Sequence, residues 1–237
     1  MRGTALVTGG AKRIGRVIAF DLADKGFHIA LHYRNSEREA DEVAKKIQCS
    51  GRKCHLFHCD FNDMDAVTAL IPRVFDRFPD CNLLINNSSV FERARLMDTD
   101  VRLFDRQFNT NFKAPFFLSR DFARLCSEGQ IINILDTKIS SPHIEYFVYS
   151  LTKKTLFEFT RMAAKELGPS IRVNSISPGL ILPSKYRNKE DFKQMEKKIP
   201  LKKTGEPKNL ISAVNFLIDN DFITGECIFV DGGEHLK

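Results

Sequence analysis

Tryptophan is absent from this sequence of 237 residues, and no apolar run approaches the ~20 residues that a membrane-spanning helix requires. No signal-peptide pattern follows Met1. The six cysteines form no paired framework, which excludes a disulfide-stabilised secreted scaffold and is typical of reduced thiols. We therefore expect a cytoplasmic protein that makes no contact with a membrane.

The sequence also lacks a long block of lysine and arginine, although 36 basic residues against 30 acidic ones give a net charge of +6. The two signs are mixed, as in Asn35 to Asp41 and Asp98 to Arg106. This distribution favours a solvated surface with one phosphate site over a nucleic-acid groove. Hydrophobic content of 43% and charged content of 28% are typical of a soluble globular protein.

Candidate metal ligands are concentrated in one stretch, Cys54-His55-Leu56-Phe57-His58-Cys59. We interpret it as a strand, in which successive side chains point to opposite faces. Cys54 and His58 would lie on one face and His55 and Cys59 on the other, so four ligands cannot converge. We expect no metal site there.

A glycine-bearing turn, Thr8-Gly9-Gly10-Ala11-Lys12-Arg13-Ile14-Gly15-Arg16, lies between an apolar run and a helical pattern. Strand, turn and helix N-terminus in this order form a phosphate cradle, because unpaired amides and the positive end of the helix dipole attract an anion. Lys12 and Arg13 add charge that a bare dinucleotide cradle does not need. We interpret the turn as the diphosphate site of a 2'-phosphorylated dinucleotide cofactor.

Strands and helices alternate along the whole chain, which predicts a single Rossmann-type α/β domain over residues 1–237. Its doubly wound parallel sheet would have about seven strands with helices on both faces. Strands are expected at Thr4 to Val7, Phe27 to Tyr33, Lys53 to Cys59, Cys81 to Asn86, Gln130 to Leu135, Ile171 to Ser177 and Glu226 to Val230. Helices are expected from Ile14 up to Gly26 and at Glu37 to Cys49, Asp63 to Phe78, Phe108 to Cys126, Tyr146 to Leu167 and Pro207 to Leu217. The Lys-rich, weakly periodic segment Leu180 to Thr204 is interpreted as a mobile substrate flap.

The end of the second strand is where a dinucleotide fold reads the adenosine ribose. The residues there are Tyr33, Arg34, Asn35 and Ser36. None is acidic, and a cation with hydroxyls suits a 2'-phosphate, so we expect NADPH rather than NADH, unless Arg34 is merely a solvated cation. Asp60, beside Phe61 at the end of the third strand, is expected to cap the next helix, to accept a bond from the adenine amino group, or both.

Tyr149 and Lys153 lie four residues apart in a predicted helix, so their side chains share one face. A tyrosine near its reference pKa of ~10 is a poor acid or base at neutral pH. A lysine ammonium one turn away would lower that pKa by stabilising the phenolate, and would also hold the nicotinamide ribose. The pair alone is compatible with a solvated face, but it follows a strand ending in Asp136, in a fold with a dinucleotide cradle.

With these motifs in place, the chain resembles the short-chain dehydrogenase/reductases over nearly its full length. The matching motifs are Thr8-Gly9-x-x-x-Arg13-Ile14-Gly15, Asp60, Asn86-Asn87-Ser88, Asn111, Tyr149-x-x-x-Lys153, Pro178-Gly179, Thr224-Gly225 and Asp231-Gly232-Gly233. The resemblance implies a proton relay through Asn111, Tyr149 and Lys153. The cofactor site that it implies, together with the residues above, comprises Gly9, Lys12, Arg13, Ile14, Tyr33, Arg34, Asn35, Ser36, Asp60, Phe61, Asn87, Ser88, Ser89, Tyr149, Lys153, Pro178, Gly179 and Ile181.

Two departures from the family pattern resemble its pteridine reductase branch, which includes the dihydromonapterin reductases. Arg13 stands where most members have the middle glycine, and Asp136 stands where most have a serine that donates to a substrate carbonyl. Phe91 matches an aromatic residue that sandwiches a pterin ring against nicotinamide, and His32-Tyr33-Arg34-x-Ser36 resembles the NADPH-reading segment of the branch. An ionised Asp136 would repel the alkoxide of carbonyl reduction but favours an imine that gains positive charge on protonation.

The resemblance therefore implies NADPH-dependent reduction of a dihydropterin, dihydromonapterin or dihydrofolate-type substrate to its tetrahydro form. The expected substrate contacts are Arg13, Phe91, Asp136 and Tyr149, and the expected catalytic residues are Asp136, Tyr149, Lys153 and Asn111. Core packing of Phe91 and a capping role for Asp136 stay open. Reduction of a 3-oxoacyl group or another ketone, and a non-catalytic NADPH-binding regulator, stay open as well.

The family commonly forms tetramers through the helices that match Phe108 to Cys126 and Tyr146 to Leu167. The apolar content of both segments fits such contacts, although a buried core would have the same composition. We expect a homotetramer.

Overall fold

A computed structural model describes residues 2–182 and 189–236 of the protein, without the side chains of residues 189–191. These residues form a sheet of seven parallel strands. The strands are β1 (Thr4–Val7), β2 (His28–Tyr33), β3 (Cys54–His58), β4 (Cys81–Asn86), β5 (Gly129–Ile134), β6 (Ile171–Pro178) and β7 (Cys227–Val230). Their order is β3-β2-β1-β4-β5-β6-β7, which confirms the doubly wound fold. The order reverses at β1, and a crevice forms there beyond the carboxyl ends of the strands.

Helices cover both faces of the sheet. They are α1 (Arg13–Asp24), α2 (Glu37–Cys49), α3 (Met64–Arg77), α4 (Val101–Phe108), α5 (Ala114–Leu125), α6 (Phe147–Leu167), α7 (Lys189–Lys198) and α8 (Pro207–Asp219). In β1, Ala5 and Val7 pack into the layer under α1, α2 and α8, and Leu6 packs into the layer under α3, α5 and α6. All three side chains are fully buried, so the first strand reads as continuously apolar because both its faces are covered.

The structure divides the expected helix from Phe108 to Cys126 near its start. The helical path begins at Val101 as α4, passes through a π-helical turn at Asn109–Lys113, and continues as α5. Pro115 lies in the first turn of α5, where a missing N–H is tolerated. The π turn carries Asn111, and such turns occur often at functional sites.

The expected flap from Leu180 to Thr204 contains a helix, α7. The apolar residues Phe192, Met195 and Ile199 recur at helical spacing, but they are too few among lysines and acids to give a strong periodic signal. Ile199 is buried, so this end of the segment packs onto the domain. Residues 183–188 of the flap lie outside the described residues, and the mobility of the flap stays a prediction.

The part of the chain that the structure describes contains no helix that could span a membrane. There, every helix is too short or too polar to cross a bilayer.

Candidate active site

A cavity of about 500 Å³ opens at the carboxyl ends of the strands, at the position that the strand order predicts. It is lined by the turn after β1, the end of β2, the segments after β4 and β5, one face of α6 and the segment after β6. All the expected site residues line it except two, Asp60 and Asn111. Residues from both halves of the chain thus meet in one cavity.

The turn after β1 is bound to the end of β4. The Thr8 hydroxyl accepts hydrogen bonds from the amides of Asn87 and Ser88 at 2.8 and 3.0 Å, and the Asn87 amide group donates to the Thr8 carbonyl at 2.9 Å. Gly15 packs against the turn so closely that a Cβ there would lie 2.2 Å from the Gly9 carbonyl oxygen. The turn and the first turn of α1 therefore form the close-packed cradle that a diphosphate requires.

His32, on β2, belongs to the segment that resembles the NADPH-reading one, but the sequence assigned it no contact of its own. Its Nδ1 accepts a hydrogen bond from the Gly9 amide at 3.0 Å, its Nε2 donates to the Cys59 carbonyl at 3.0 Å, and its ring stacks on Phe61 at 4.3 Å. Burial lowers the pKa of His32 to about 4, so the neutral imidazole holds the cradle. The signal in the sequence that could have indicated this role is a histidine within an otherwise apolar strand.

The cations expected to read the cofactor phosphate already have acidic neighbours. The Lys12 Nζ lies 2.6 Å from Glu39 Oε1, and the Arg34 guanidinium lies 3.9 Å from Asp60 Oδ1. Both pairs are exposed and are therefore worth little, so an incoming phosphate group would exchange with them readily.

Asp60 does not cap α3, so that expectation is wrong. The helix begins at Met64, and Asp63 caps it by accepting bonds from the amides of Asp65 and Ala66 at 3.0 and 3.1 Å. The Asp60 carboxylate instead accepts from the backbone and side chain of Asn62. The helix starts too late for Asp60 to reach its first amides.

Asp136, Tyr149 and Lys153 converge on the cavity wall. The Tyr149 hydroxyl donates to Asp136 Oδ2 at 2.8 Å, and the Lys153 ammonium donates to the Ile134 carbonyl at 2.8 Å. Asp136 Oδ1 also caps the short 3₁₀ turn Thr137–Ile139. The carboxylate therefore faces the phenol in the cavity and caps a turn at the same time.

The expected lowering of the Tyr149 pKa by Lys153 is wrong. Burial raises the pKa of Tyr149 well above its ordinary value, and the charge of Asp136 and the bond to it act in the same direction. The pKa of Lys153 falls to about 8 because the ammonium is buried, an effect that Asp136 opposes. The phenol thus keeps its proton and points it at the carboxylate.

Asn111 supports the site from behind the cavity wall. Its Oδ1 accepts from the Val90 amide at 2.8 Å and the Ser89 hydroxyl at 3.1 Å. Its Nδ2 donates to the Val90 carbonyl at 2.9 Å and to Thr152 Oγ1 at 3.2 Å. These bonds make Asn111 a positioning residue for the segment after β4, and its part in a proton relay stays a prediction.

Phe91 is half-buried on the cavity wall and does not belong to either core layer. Its ring stacks on Tyr146 at 4.4 Å and meets Tyr149 edge-on at 4.6 Å. The segment behind it is tied to the start of α6, where the Phe147 amide donates to the Ala94 carbonyl at 3.0 Å. Phe91 is therefore a fixed aromatic surface, with Tyr146 as a partner that the sequence analysis did not identify.

The segment after β6 is held by the C-terminal residues. A Cβ on Gly179 would lie 2.6 Å from the Cβ of Asp231. Asp231 in turn accepts from the hydroxyl of Thr137, next to Asp136, at 2.8 Å. The predicted nicotinamide end and the carboxylate of Asp136 thus share one buried support.

Comparisons with known proteins identify the family. A family model described as enoyl-(acyl carrier protein) reductase matches residues 9–235. The 3-oxoacyl-[acyl-carrier-protein] reductase FabG of Staphylococcus epidermidis is 30% identical over 244 residues, which cover 100% of both chains. The chain belongs to the short-chain dehydrogenase/reductase family. It is therefore an oxidoreductase by family.

Solved structures of short-chain dehydrogenase/reductases superpose on the whole chain. FolM alternative dihydrofolate reductase 1 from Brucella suis, solved in complex with NADP, is 36% identical with a TM-score of 0.95, and the match covers 99% of this chain and 96% of that one. A blue fluorescent protein from a metagenomic library, solved in complex with NADPH, is 27% identical with a TM-score of 0.92, covering 98% and 97% of the two chains.

Arg13, which departs from the short-chain dehydrogenase/reductase pattern, has a strained backbone conformation. Arg13 has a φ of +51°, the left-handed region that favours glycine. An L-residue there costs roughly 1–2 kcal/mol. The guanidinium of Arg13 reaches the Leu182 carbonyl at 3.5 Å, so the side chain extends from the phosphate cradle to the far side of the cavity.

Metal ligands do not cluster in this member of the family, as far as the structure describes it. No group of three His, Cys, Asp or Glu side chains is placed to hold an ion within that part of the chain.

His32 should make the protein acid-sensitive. Its pKa is about 4 in the folded state against ~6.5 in the unfolded chain, so the unfolded chain binds more protons between these values. Stability from this group is full above pH ~6.5 and falls by about 3 kcal/mol as the pH drops to ~4. Urea unfolding across this range should show a shallower pH dependence for His32→Gln than for the wild type.

The matched control is His55→Gln, on the exposed side of β3, which should keep most of the wild-type slope. An unchanged slope in His32→Gln would assign the acid sensitivity to another group.

Proposed function

We propose that the protein reduces a dihydropterin-type substrate to its tetrahydro form with NADPH. The observation that carries this proposal is the carboxylate of Asp136, which faces the cavity 2.8 Å from the Tyr149 hydroxyl. A carboxylate beside the acceptor atom disfavours a developing alkoxide and favours a ring nitrogen that becomes positively charged. The position therefore suits a C=N acceptor better than a ketone.

The residues on the cavity wall fit NADPH. The cradle made by Gly9, Gly15 and the first amides of α1 suits the diphosphate, since a side chain at Gly15 would fill it. Arg34 and Ser36 at the end of β2 suit the 2'-phosphate, with no acid among Tyr33 to Ser36. When bound, NADPH supplies the hydride. Structural relatives solved with NADP or NADPH support this choice of cofactor.

The protein's own residues would manage the proton. Tyr149 would pass its phenol proton to the substrate nitrogen while Asp136, having taken up a proton from solvent, returns it to the phenol oxygen, so that Asp136 ends as the carboxylate that stabilises the positive ring. Asp136 also accepts a bond from a pterin amino group or holds a proton that Tyr149 relays. Lys153, bound to the Ile134 carbonyl, holds the cofactor ribose.

A flat heteroaromatic substrate also fits the walls of the cavity. The Phe91 ring is fixed by Tyr146 and offers a stacking surface. Arg13 extends from the cradle, and its guanidinium suits the cofactor diphosphate and a ring heteroatom of the substrate.

The second candidate function is reduction of a 3-oxoacyl group or another ketone. The 30% identity to FabG over the whole chain favours it. The likeness to FolM at 36% identity supports the pterin proposal instead, and Asp136 argues against the ketone. A non-catalytic NADPH-binding regulator is disfavoured because Tyr149, Lys153 and Asp136 all line the cavity, and a sensor need not keep this set. The cytoplasmic location and the single domain over residues 1–237 stay predictions.

The deciding test is a turnover panel. NADPH oxidation should be stimulated by at least one of dihydrobiopterin, dihydromonapterin and dihydrofolate, and not by acetoacetyl thioesters. Asp136→Asn should lower kcat about 100-fold or more, because it removes the charge that stabilises the protonated ring. Asp98→Asn, an exposed aspartate outside the cavity, should leave kcat unchanged. Turnover of thioesters without turnover of pterins would contradict the proposal.

Cofactor choice has its own test. Arg34→Ala should weaken NADPH binding about 10- to 100-fold, the value of a charge-assisted hydrogen bond, and change NADH binding little. Titration of both cofactors by fluorescence measures the two dissociation constants. Arg38→Ala, at an arginine that is 89% exposed one turn away, is the matched control and should affect neither. Equal losses for both cofactors would refute the role of Arg34.

We further propose a homotetramer that packs through α5 and α6. Large apolar side chains on these helices are exposed in the single chain: Phe116, Leu125, Leu151 and Met162.

Light scattering should give about four times the chain mass of 27.1 kDa. Phe116→Glu should give a smaller species because it buries a charge at the contact. Met97→Ser, at an exposed residue away from these helices, should keep the tetramer, and a monomeric wild type would exclude it.

A further inference from the structure

Lys138 is a charged residue beside the catalytic site that neither the family resemblance nor the proposed reaction uses. It lies in the 3₁₀ turn Thr137–Ile139, directly after the strand that ends in Asp136. Its side chain is only 14% exposed, although lysines are rarely held out of water without a partner. Burying the Lys138 ammonium costs free energy unless favourable contacts offset it. Two such contacts are present.

The first contact is with the catalytic carboxylate. The Lys138 Nζ lies 3.4 Å from Asp136 Oδ1, and the Lys138 backbone amide donates to the same oxygen at 2.9 Å. The other oxygen, Oδ2, accepts the Tyr149 hydroxyl at 2.8 Å. Each oxygen of the carboxylate thus has its own partner, and the plane of the group is set from both sides.

The second contact is with the aromatic pair on the cavity wall. The Lys138 Nζ lies 5.6 Å from the centroid of Phe91 and 5.7 Å from that of Tyr146. Both distances are within the range of a cation–π attraction. One ammonium group therefore touches both the carboxylate and the surface on which a flat substrate would stack.

We propose that Lys138 is a positioning residue that holds Asp136 Oδ1, turns Oδ2 toward Tyr149 and fixes the carboxylate relative to the Phe91–Tyr146 pair. The inference rests on the proposed function only in that Asp136 and Tyr149 handle the substrate proton. It applies equally to a pterin and to a ketone.

The charges around Asp136 make the role measurable. Lys138 faces it from its own turn, Tyr149 and Lys153 face it from α6, and His143 lies on the following loop. Removing the Lys138 ammonium leaves Oδ1 with the backbone amide of Lys138 alone, so the carboxylate loses part of its orientation. The kcat should then fall while the KM for NADPH stays unchanged, a split that a general loss of packing does not produce.

The test compares Lys138→Met, which keeps the length without the charge, with Lys138→Arg, which restores the charge. The kcat and KM are measured across about pH 5 to 9 on whichever substrate of the panel the wild type reduces. Lys138→Met should lower kcat about tenfold, with the KM for NADPH unchanged. Lys138→Arg should stay within about threefold of the wild type.

The matched control is Lys165→Met, at an exposed lysine on α6, which should reproduce the wild-type profile. A Lys138→Met profile that superimposes on the wild type, or a Lys138→Arg variant that restores nothing, would overturn the inference.

A second measurement needs no turnover and separates this inference from the proposed function. Thermal unfolding is compared for Lys138→Met, Asp136→Asn and the double variant. Lys138→Met should lower the Tm by about 2–4 °C in the wild-type background, the effect of ~1 kcal/mol in a chain of this size, and not in the Asp136→Asn background. Equal losses in the two backgrounds would show that Lys138 does not act on Asp136, whatever substrate the protein reduces.

Discussion

The hydrogen bond from the Tyr149 hydroxyl to Asp136 is the contact on which the proposed chemistry depends. A lysine one helical turn from a tyrosine would by itself favour the phenolate. Here the phenol donates to the Asp136 carboxylate at 2.8 Å, whereas the Lys153 ammonium is bound to the Ile134 carbonyl. Burial is the main cause of the raised Tyr149 pKa and the charge of Asp136 adds to it, so the phenol keeps its proton and directs it at the carboxylate. The reaction that such a pair suits is one in which a positive charge appears beside it.

Buried polar side chains place this pair in the cavity. His32 joins the turn after β1 to the end of β3, Asn111 joins the segment after β4 to α6, and Asp231 joins the C-terminal residues to Thr137. Each of them satisfies backbone or hydroxyl groups that would otherwise be unpaired in a dry interior. Specific hydrogen bonds from buried side chains therefore hold the loops at the sheet edge, while Asp136 and Tyr149 line the cavity.

The same framework carries ketone reductases and NADP-bound relatives of other activities, so the fold does not choose the substrate. Substrate choice depends on a few residues that line the cavity. Arg13 accepts a strained backbone where glycine would be relaxed, and Asp136 puts a charge where a hydroxyl would serve a ketone. The strain at Arg13 costs stability, and the charge at Asp136 restricts the substrates that the site suits. Both side chains line the cavity.

Much of the fold and the membership of the site follow from the sequence alone, because they depend on local periods. Strands buried on both faces read as apolar runs, the cradle follows from glycine spacing, and Tyr149 and Lys153 share a helix face through a four-residue interval. Distances across the fold have no such local signature. The His32 bond to Gly9, the π turn at Asn111, the cap at Asp63 and the approach of Asp136 to Tyr149 emerged only in three dimensions. Sequence spacing by itself therefore determined the cradle and the Tyr149–Lys153 pair, whereas the tertiary structure decided the pKa directions of the site residues, because a pKa depends on burial and on through-space distance.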